Sequence, residues 1–126
     1  MKALAALLVA TCVLAAGCAG DGEHLATLAK TQSCLASAGV RLGGTLDFVA
    51  TPATGGALRA HLRDNEVTVV FGATVGDANQ INDAYHRFRA SNIGIEDVLK
   101  QQRNAVMLWA SHPSDADIAT ITGCLK

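Results

Sequence analysis

Apolar and polar positions recur along this chain with two different periods, and the changes of period mark the elements. Over residues 23–38, Leu25, Leu28, Ala29, Leu35 and Ala36 fall on one stripe at helical spacing, which predicts a helix. Gly39 stands where a left-handed C-cap ends it. Cys34 lies on the flank of that stripe, so its partner must lie beside the helix rather than beneath it. Residues 46–50 predict a short strand with Leu46 and Phe48 on one face, and Thr51-Pro52-Ala53-Thr54-Gly55-Gly56 predicts a loop. Residues 57–62 alternate, with Leu58, Ala60 and Leu62 on one side and Arg59, His61 and Arg63 on the other. A turn-rich Arg63-Asp64-Asn65-Glu66 follows. Residues 67–71 are β-branched and aromatic, so the two runs predict a β-hairpin.

Helical spacing returns after Thr74-Val75-Gly76-Asp77, a capping-box pattern with Asp in place of Glu. Ala78, Ile81, Tyr85 and Phe88 form its apolar stripe up to about residue 90, and Ser91-Asn92-Ile93-Gly94 breaks it. Residues 96–101 fit either a short helix or an edge strand. Residues 105–110, Ala-Val-Met-Leu-Trp-Ala, are apolar on both faces, as an inner strand of a sheet must be. His112-Pro113-Ser114 is a turn with Ser114 as N-cap. Asp115 and Asp117 then suit the first turn of a last helix whose core face is Ile118, Ile121 and Leu125. The order α-β-β-β-α-β-α predicts an α+β fold: a small antiparallel sheet of about four strands with helices mainly on one face.

The first residues have a different character. Lys2 precedes about 13 almost uniformly apolar residues, 4–16, too few for the ~20 that span a bilayer. A charged start, a short apolar run and a small-residue end describe a signal peptide. The run closes on Ala15-Ala16-Gly17-Cys18 and is followed by the polar Asp21-Gly22-Glu23-His24. This resembles the lipobox of bacterial lipoproteins. It departs from the commonest form in having Ala15 three before the cysteine, with Leu14 one step further out. Plain secretion and a retained membrane helix are the alternatives. Cys12 is a poor rival acceptor, because Thr11 precedes it and the apolar run would be cut short. The resemblance implies a signal peptide over residues 1–17, removal of that peptide, and acyl chains on Cys18. It implies a short tether over 18–23, a single domain over 24–126, and residence on the extracytoplasmic face of the cell membrane. One acyl chain holds only marginally, whereas two or three on one residue hold permanently for practical purposes.

An exported chain fixes the expected fate of the other cysteines. Cys34 and Cys124 remain as an even pair in an oxidising compartment, where a disulfide is the default. It would close a loop of about 90 residues and tie the first helix to the last, contributing on the order of 4–5 kcal/mol by chain entropy. Two free buried thiols are the alternative. Metal binding is disfavoured, since the chain has neither Cys-x-x-Cys nor His-x₃-His. The layout Ser33-Cys34-Leu35-Ala36-Ser37-Ala38-Gly39-Val40 near the start, with Gly123-Cys124-Leu125 at the end, resembles small lipoproteins of high-GC Gram-positive bacteria. That resemblance implies no particular activity.

Charge and chemistry add little. Without Lys2, nine of the ten Lys and Arg face eleven Asp and Glu, a formal charge of −2 with no polybasic patch, which gives no reason to expect either nucleic acid or an anionic membrane surface as a partner. His112 with Asp115 and Asp117, and Asp83 with His86, are read as capping and solvated residues rather than as metal or acid–base sites. No nucleophile elbow, phosphate loop or dinucleotide fingerprint occurs. No cofactor, metal or enzymatic activity is expected. The surface singled out is the sheet face opposite the helices, where strand alternation places Arg59, His61 and Arg63 with Asp47, Thr68 and Val70. Val106 and Leu108 would face outward there if Met107 and Trp109 face the helices. A mixed face of this kind suits docking of another envelope protein. The expectation is a non-enzymatic binding module, with a small-ligand-binding lipoprotein as the alternative and an envelope enzyme less favoured.

Overall fold

A computed structural model of the chain describes residues 24–89 and 94–126. The expected signal peptide over 1–17, Cys18 and the expected tether over 18–23 lie outside the described residues, as does most of the predicted break after residue 90. The elements run in the order α1 (Leu28–Ser37), β1 (Arg41–Leu42), β2 (Ala57–His61), β3 (Glu66–Phe71), α2 (Val75–Arg89), α3 (Ile95–Val98), β4 (Leu99–Gln102), β5 (Ala105–Trp109) and α4 (Asp115–Thr122). The five strands form one antiparallel sheet in the order β1-β2-β3-β5-β4. The fold is α+β as expected, with five strands where about four were expected.

Strand alternation divides the core. Leu58, Ala60, Val67, Val69, Phe71, Ala105, Met107 and Trp109 point to one face, against Leu35 of α1 and Ile121 of α4. Val70, Val106 and Leu108 point to the other, against Ala78, Ile81 and Tyr85 of α2. So α1 and α4 share one face, while the longest helix, α2, covers part of the opposite one. Every residue of β5 is buried, the inner-strand behaviour its sequence implied. Val106 and Leu108 do face away from Met107 and Trp109; both are buried in the cluster beneath α2, and Leu108 also lines the hollow shared by Asp47, Arg59 and Glu66.

Several ends are held as the sequence implied. Ser114 accepts from Asp117 N–H while the Asp117 carboxylate accepts from Ser114 N–H, a complete capping box on α4. Gly39 takes φ +77° just beyond α1, the left-handed conformation that glycine adopts without steric cost. α1 itself begins at Leu28 rather than at residue 23, because Thr27 caps it and the backbone before it is held elsewhere. Ala26 N–H donates to Asn104 Oδ1 at 2.8 Å. The amide nitrogen of Asn104 donates to Ala26 O and Gly72 O at 2.8 and 2.9 Å. This buried amide sits in the β4–β5 turn and joins the start of the domain to the end of β3.

Cys34 and Cys124 form a disulfide with Cα atoms 5.5 Å apart, tying α1 to the segment just beyond α4. Residues 96–101 are both things the sequence allowed: the end of a four-residue helix, then edge strand β4.

The predicted strand at 46–50 does not form. The Asp47 carboxylate accepts from Val49 N–H and Ala50 N–H, both at 2.9 Å, and Thr51 N–H reaches Asp47 O at 3.0 Å. A side chain that captures nearby amides offers the backbone an alternative to a ladder, and here the result is a turn. The first edge of the sheet is instead β1, whose Arg41 and Leu42 pair with His61 and Ala60.

Candidate functional site

The face predicted for docking carries a self-contained charge cluster. Arg59 and His61 project from β2, and His61 stands directly across from Glu66 of β3. The Arg59 guanidinium pairs with the Glu66 carboxylate and also donates to Thr45 O at 3.1 Å. His61 Nε2 lies 2.7 Å from Gly43 O, and its Nδ1 lies 3.7 Å from the other Glu66 oxygen. Cross-strand pairs of this kind contribute modestly to sheet stability. They also occupy the groups that a partner would have to recruit. Arg63 sits exposed in the turn between β2 and β3, where it lines a hollow together with His61 and Glu66. A polar hollow of about 320 Å³ remains between Asp47, Arg59, Glu66 and Thr68.

The neighbouring surface has the opposite chemistry. Between α2 and the turn that Asp47 builds runs an open groove of about 370 Å³, lined by Phe48, Val49, Pro52, Ala53, Ile81, Ala84 and Phe88, with Thr54, Asp77 and Gln80 as its polar members. Phe48 and Phe88 are the large apolar side chains left exposed among the described residues, at 66% and 61%. Their rings meet edge to face with centroids 4.9 Å apart.

The groove's walls are held from beneath. Tyr85, one turn before Phe88 and itself buried, donates its hydroxyl to the Asp47 carboxylate at 2.9 Å. At the other end Thr54 Oγ1 donates to Asp77 Oδ2 at 2.9 Å and accepts from Ala73 N–H at 2.9 Å. Asp77 N–H in turn donates to Thr74, the predicted cap of α2. Asp47 thus fixes the turn that carries Phe48 and, through Tyr85, the helix that carries Phe88.

Sequence patterning placed Phe88 in the buried stripe of α2, and the structure corrects this. The sheet beneath α2 is used up by Ala78, Ile81 and Tyr85, and Phe88 overhangs it. The groove was not foreseen, because Phe48 was assigned to a strand. One signal was present: Asp47 two residues before the apolar pair Val49-Ala50, in the manner of an Asx turn.

The remaining titratable candidates separate. His112 turns to Asp97 of α3, with Nδ1 2.6 Å from its carboxylate, and not to Asp115 or Asp117. His86 of α2 lies between Asn82 O, 2.9 Å from Nδ1, and Glu96 Oε1, 2.6 Å from Nε2. The Asn82 carbonyl and then the Glu96 carboxylate hold its pKa above the ordinary 6.5. α3 is therefore strapped between α2 and the β5–α4 connection by two histidine–carboxylate pairs. Among the described residues no group of three or more His, Cys, Asp or Glu stands close enough to share a metal ion. None of the described helices is long and apolar enough to cross a membrane.

No protein-family model matches the chain, and neither a curated protein nor a solved structure is significantly similar to it.

Proposed function

We propose that this chain is a lipid-anchored protein of the extracytoplasmic face of the cell membrane, and that it acts as a non-enzymatic binding module through the apolar groove between α2 and the 47–54 segment. The anchor rests on the lipobox-like Ala15-Ala16-Gly17-Cys18. The Cys34–Cys124 disulfide supports export, since such bonds persist in oxidising compartments. The observation that carries the binding role is the exposed Phe48–Phe88 pair on a rigidly buttressed groove. Leaving two large aromatic rings in water forgoes on the order of 1.5–3 kcal/mol each relative to burial, which a surface with no occupant gains nothing from. The Arg59–His61 face is the weaker choice for an envelope partner, because its charges already satisfy one another. The groove's size also falls in the range of small-molecule sites, which favours a small apolar ligand as the second reading.

Two measurements test this. The intact mass of protein taken from its own membranes, with and without reduction, should begin at Cys18 plus acyl chains and rise by two hydrogen atoms on reduction. A photo-crosslinker placed at Phe88 should then capture an occupant that Phe48→Ser abolishes, while Arg59→Glu leaves capture intact. Capture lost with Arg59→Glu and retained with Phe48→Ser would move the site to the charged face.

A further inference from the structure

Resting on the lipid-anchored reading above, we infer that the groove's occupant is the acyl region of the membrane that holds the anchor, so that the domain lies on the bilayer with Phe48 and Phe88 entering it. Three observations converge on this. The first is where the chain leaves the domain. Ala26 is bonded to Asn104, Asn104 to Gly72, and the next residue, Ala73, donates to Thr54, which is bonded to Asp77 at one end of the groove. Those few hydrogen bonds place Ala26, two residues after the first described one, near that end.

The second is reach. Cys18 lies six positions before His24, which allows at most about 20 Å of extended chain. From Asp77 to Phe88 the groove follows α2 for about 16 Å at the α-helical rise. A tether of that length is long enough for the α2 face to lie on the bilayer and keeps the domain within about 20 Å of its anchor. Tethering also keeps the local lipid concentration high without further binding energy.

The third is chemistry. Asp77, held by Thr54, is the one ionisable residue among those lining the groove, and it lies at the end away from Phe88. Beside the two rings stand Pro52, Ala53, Ile81 and Ala84, none of which needs a polar partner. Phe on the apolar face of a partly exposed helix, as Phe88 is on α2, is one of the features that interfacial binding uses. A second copy or a folded partner would need roughly 800 Å² of complementary surface per side, far more than two rings and a shallow groove offer.

The test uses the full acylated protein in vesicles of phosphatidylglycerol and phosphatidylethanolamine whose acyl chains carry bromine, a contact quencher of tryptophan. Phe88→Trp should be quenched several-fold more strongly than buried Trp109 of the unaltered protein, and more than Ala36→Trp, which stands exposed on α1 over the other sheet face. Each variant is checked for the native disulfide and circular dichroism first, and Phe48→Trp serves if Phe88→Trp does not fold. Quenching at position 88 no stronger than at position 36, in protein whose mass shows acylation, overturns the inference and leaves the anchor standing. A mass without acyl chains overturns both. A discrete protein adduct, or a stabilising soluble ligand that competes with vesicles, also overturns it, in favour of a protein partner or a small apolar ligand.

Discussion

Replacing Asn104 with alanine removes an amide whose two ends serve three backbone groups: Ala26 N–H, Ala26 O and Gly72 O. The side chain is only 1% exposed, and Ala26 is buried with it, so water cannot take over its bonds without opening the turn. A net value of about 1 kcal/mol per hydrogen bond gives a loss near 3 kcal/mol, and more if the freed groups stay dry. That is a large part of the 5–15 kcal/mol expected for a domain, and for about 100 residues it lowers the Tm by roughly 12–24 °C. Urea unfolding of the oxidised protein, followed by circular dichroism, measures the change directly. Asn104→Asp sharpens the test. Its carboxylate still accepts from Ala26 N–H but turns an oxygen toward two carbonyl oxygens, so at neutral pH it should be less stable than Asn104→Ala and should recover in acid, where the protonated group donates again. An Asn104→Ala loss below about 1 kcal/mol, or faster amide exchange at Ala26 with no change in the urea midpoint, would refute the view that this amide joins the start of the domain to its core.

Thr31→Val should stabilise the domain by about 1 kcal/mol, because the Thr31 hydroxyl is fully buried with no hydrogen-bond partner and valine keeps its shape; a lower Tm would count against this. Replacing Cys34 and Cys124 together with serine should cost roughly 2–5 kcal/mol in chemical denaturation, and an unchanged midpoint would deny the disulfide a stabilising role. His86 has a raised folded pKa, so its contribution is fully present below the ordinary value of 6.5 and is lost as pH rises through the folded value. Imidazole NMR should place its titration above 6.5, and His86→Gln should remove the corresponding fall in Tm; titration at or below 6.5 would contradict the assigned hydrogen bonds.

The parts of the fold that were legible are those where one local signal has no competitor. β5 is apolar throughout, and only an inner strand buries both of its faces. The β2–β3 hairpin combines an alternating β2 and a β-branched, aromatic β3 with a polar turn, and Ser114 with Asp117 can do little other than cap. β1 was not legible because two residues, Arg41 and Leu42, contain no period to read. Whether a helix lies above or below a sheet is also not a local property. The stripe of α2 is the same whichever face it meets, so its place over Val70, Val106 and Leu108 emerged only in the assembled sheet.

The groove was hidden for a related reason, and Asp47 is the residue responsible. Apolar patterning asks residues 46–50 to extend, and a single carboxylate overrules it by taking the amides of Val49 and Ala50. The same carboxylate accepts the Tyr85 hydroxyl, so the turn and α2 are fixed to each other by one polar centre. Had the segment extended as a strand, Phe48 would have had a sheet face to join. With the turn in place it stands in water against Phe88, which the sheet beneath α2 has no room to cover. A conflict between local pattern and final structure is expected where function constrains the chain. Here it falls at the groove assigned to lipid. Disrupting Asp47 while keeping an aromatic ring at both positions therefore separates the groove from its rings: Asp47→Ala should leave both aromatic side chains in place yet lose quenching of Phe88→Trp by brominated lipid. Undiminished quenching in that double variant would mean that two exposed rings suffice and that the groove contributes nothing.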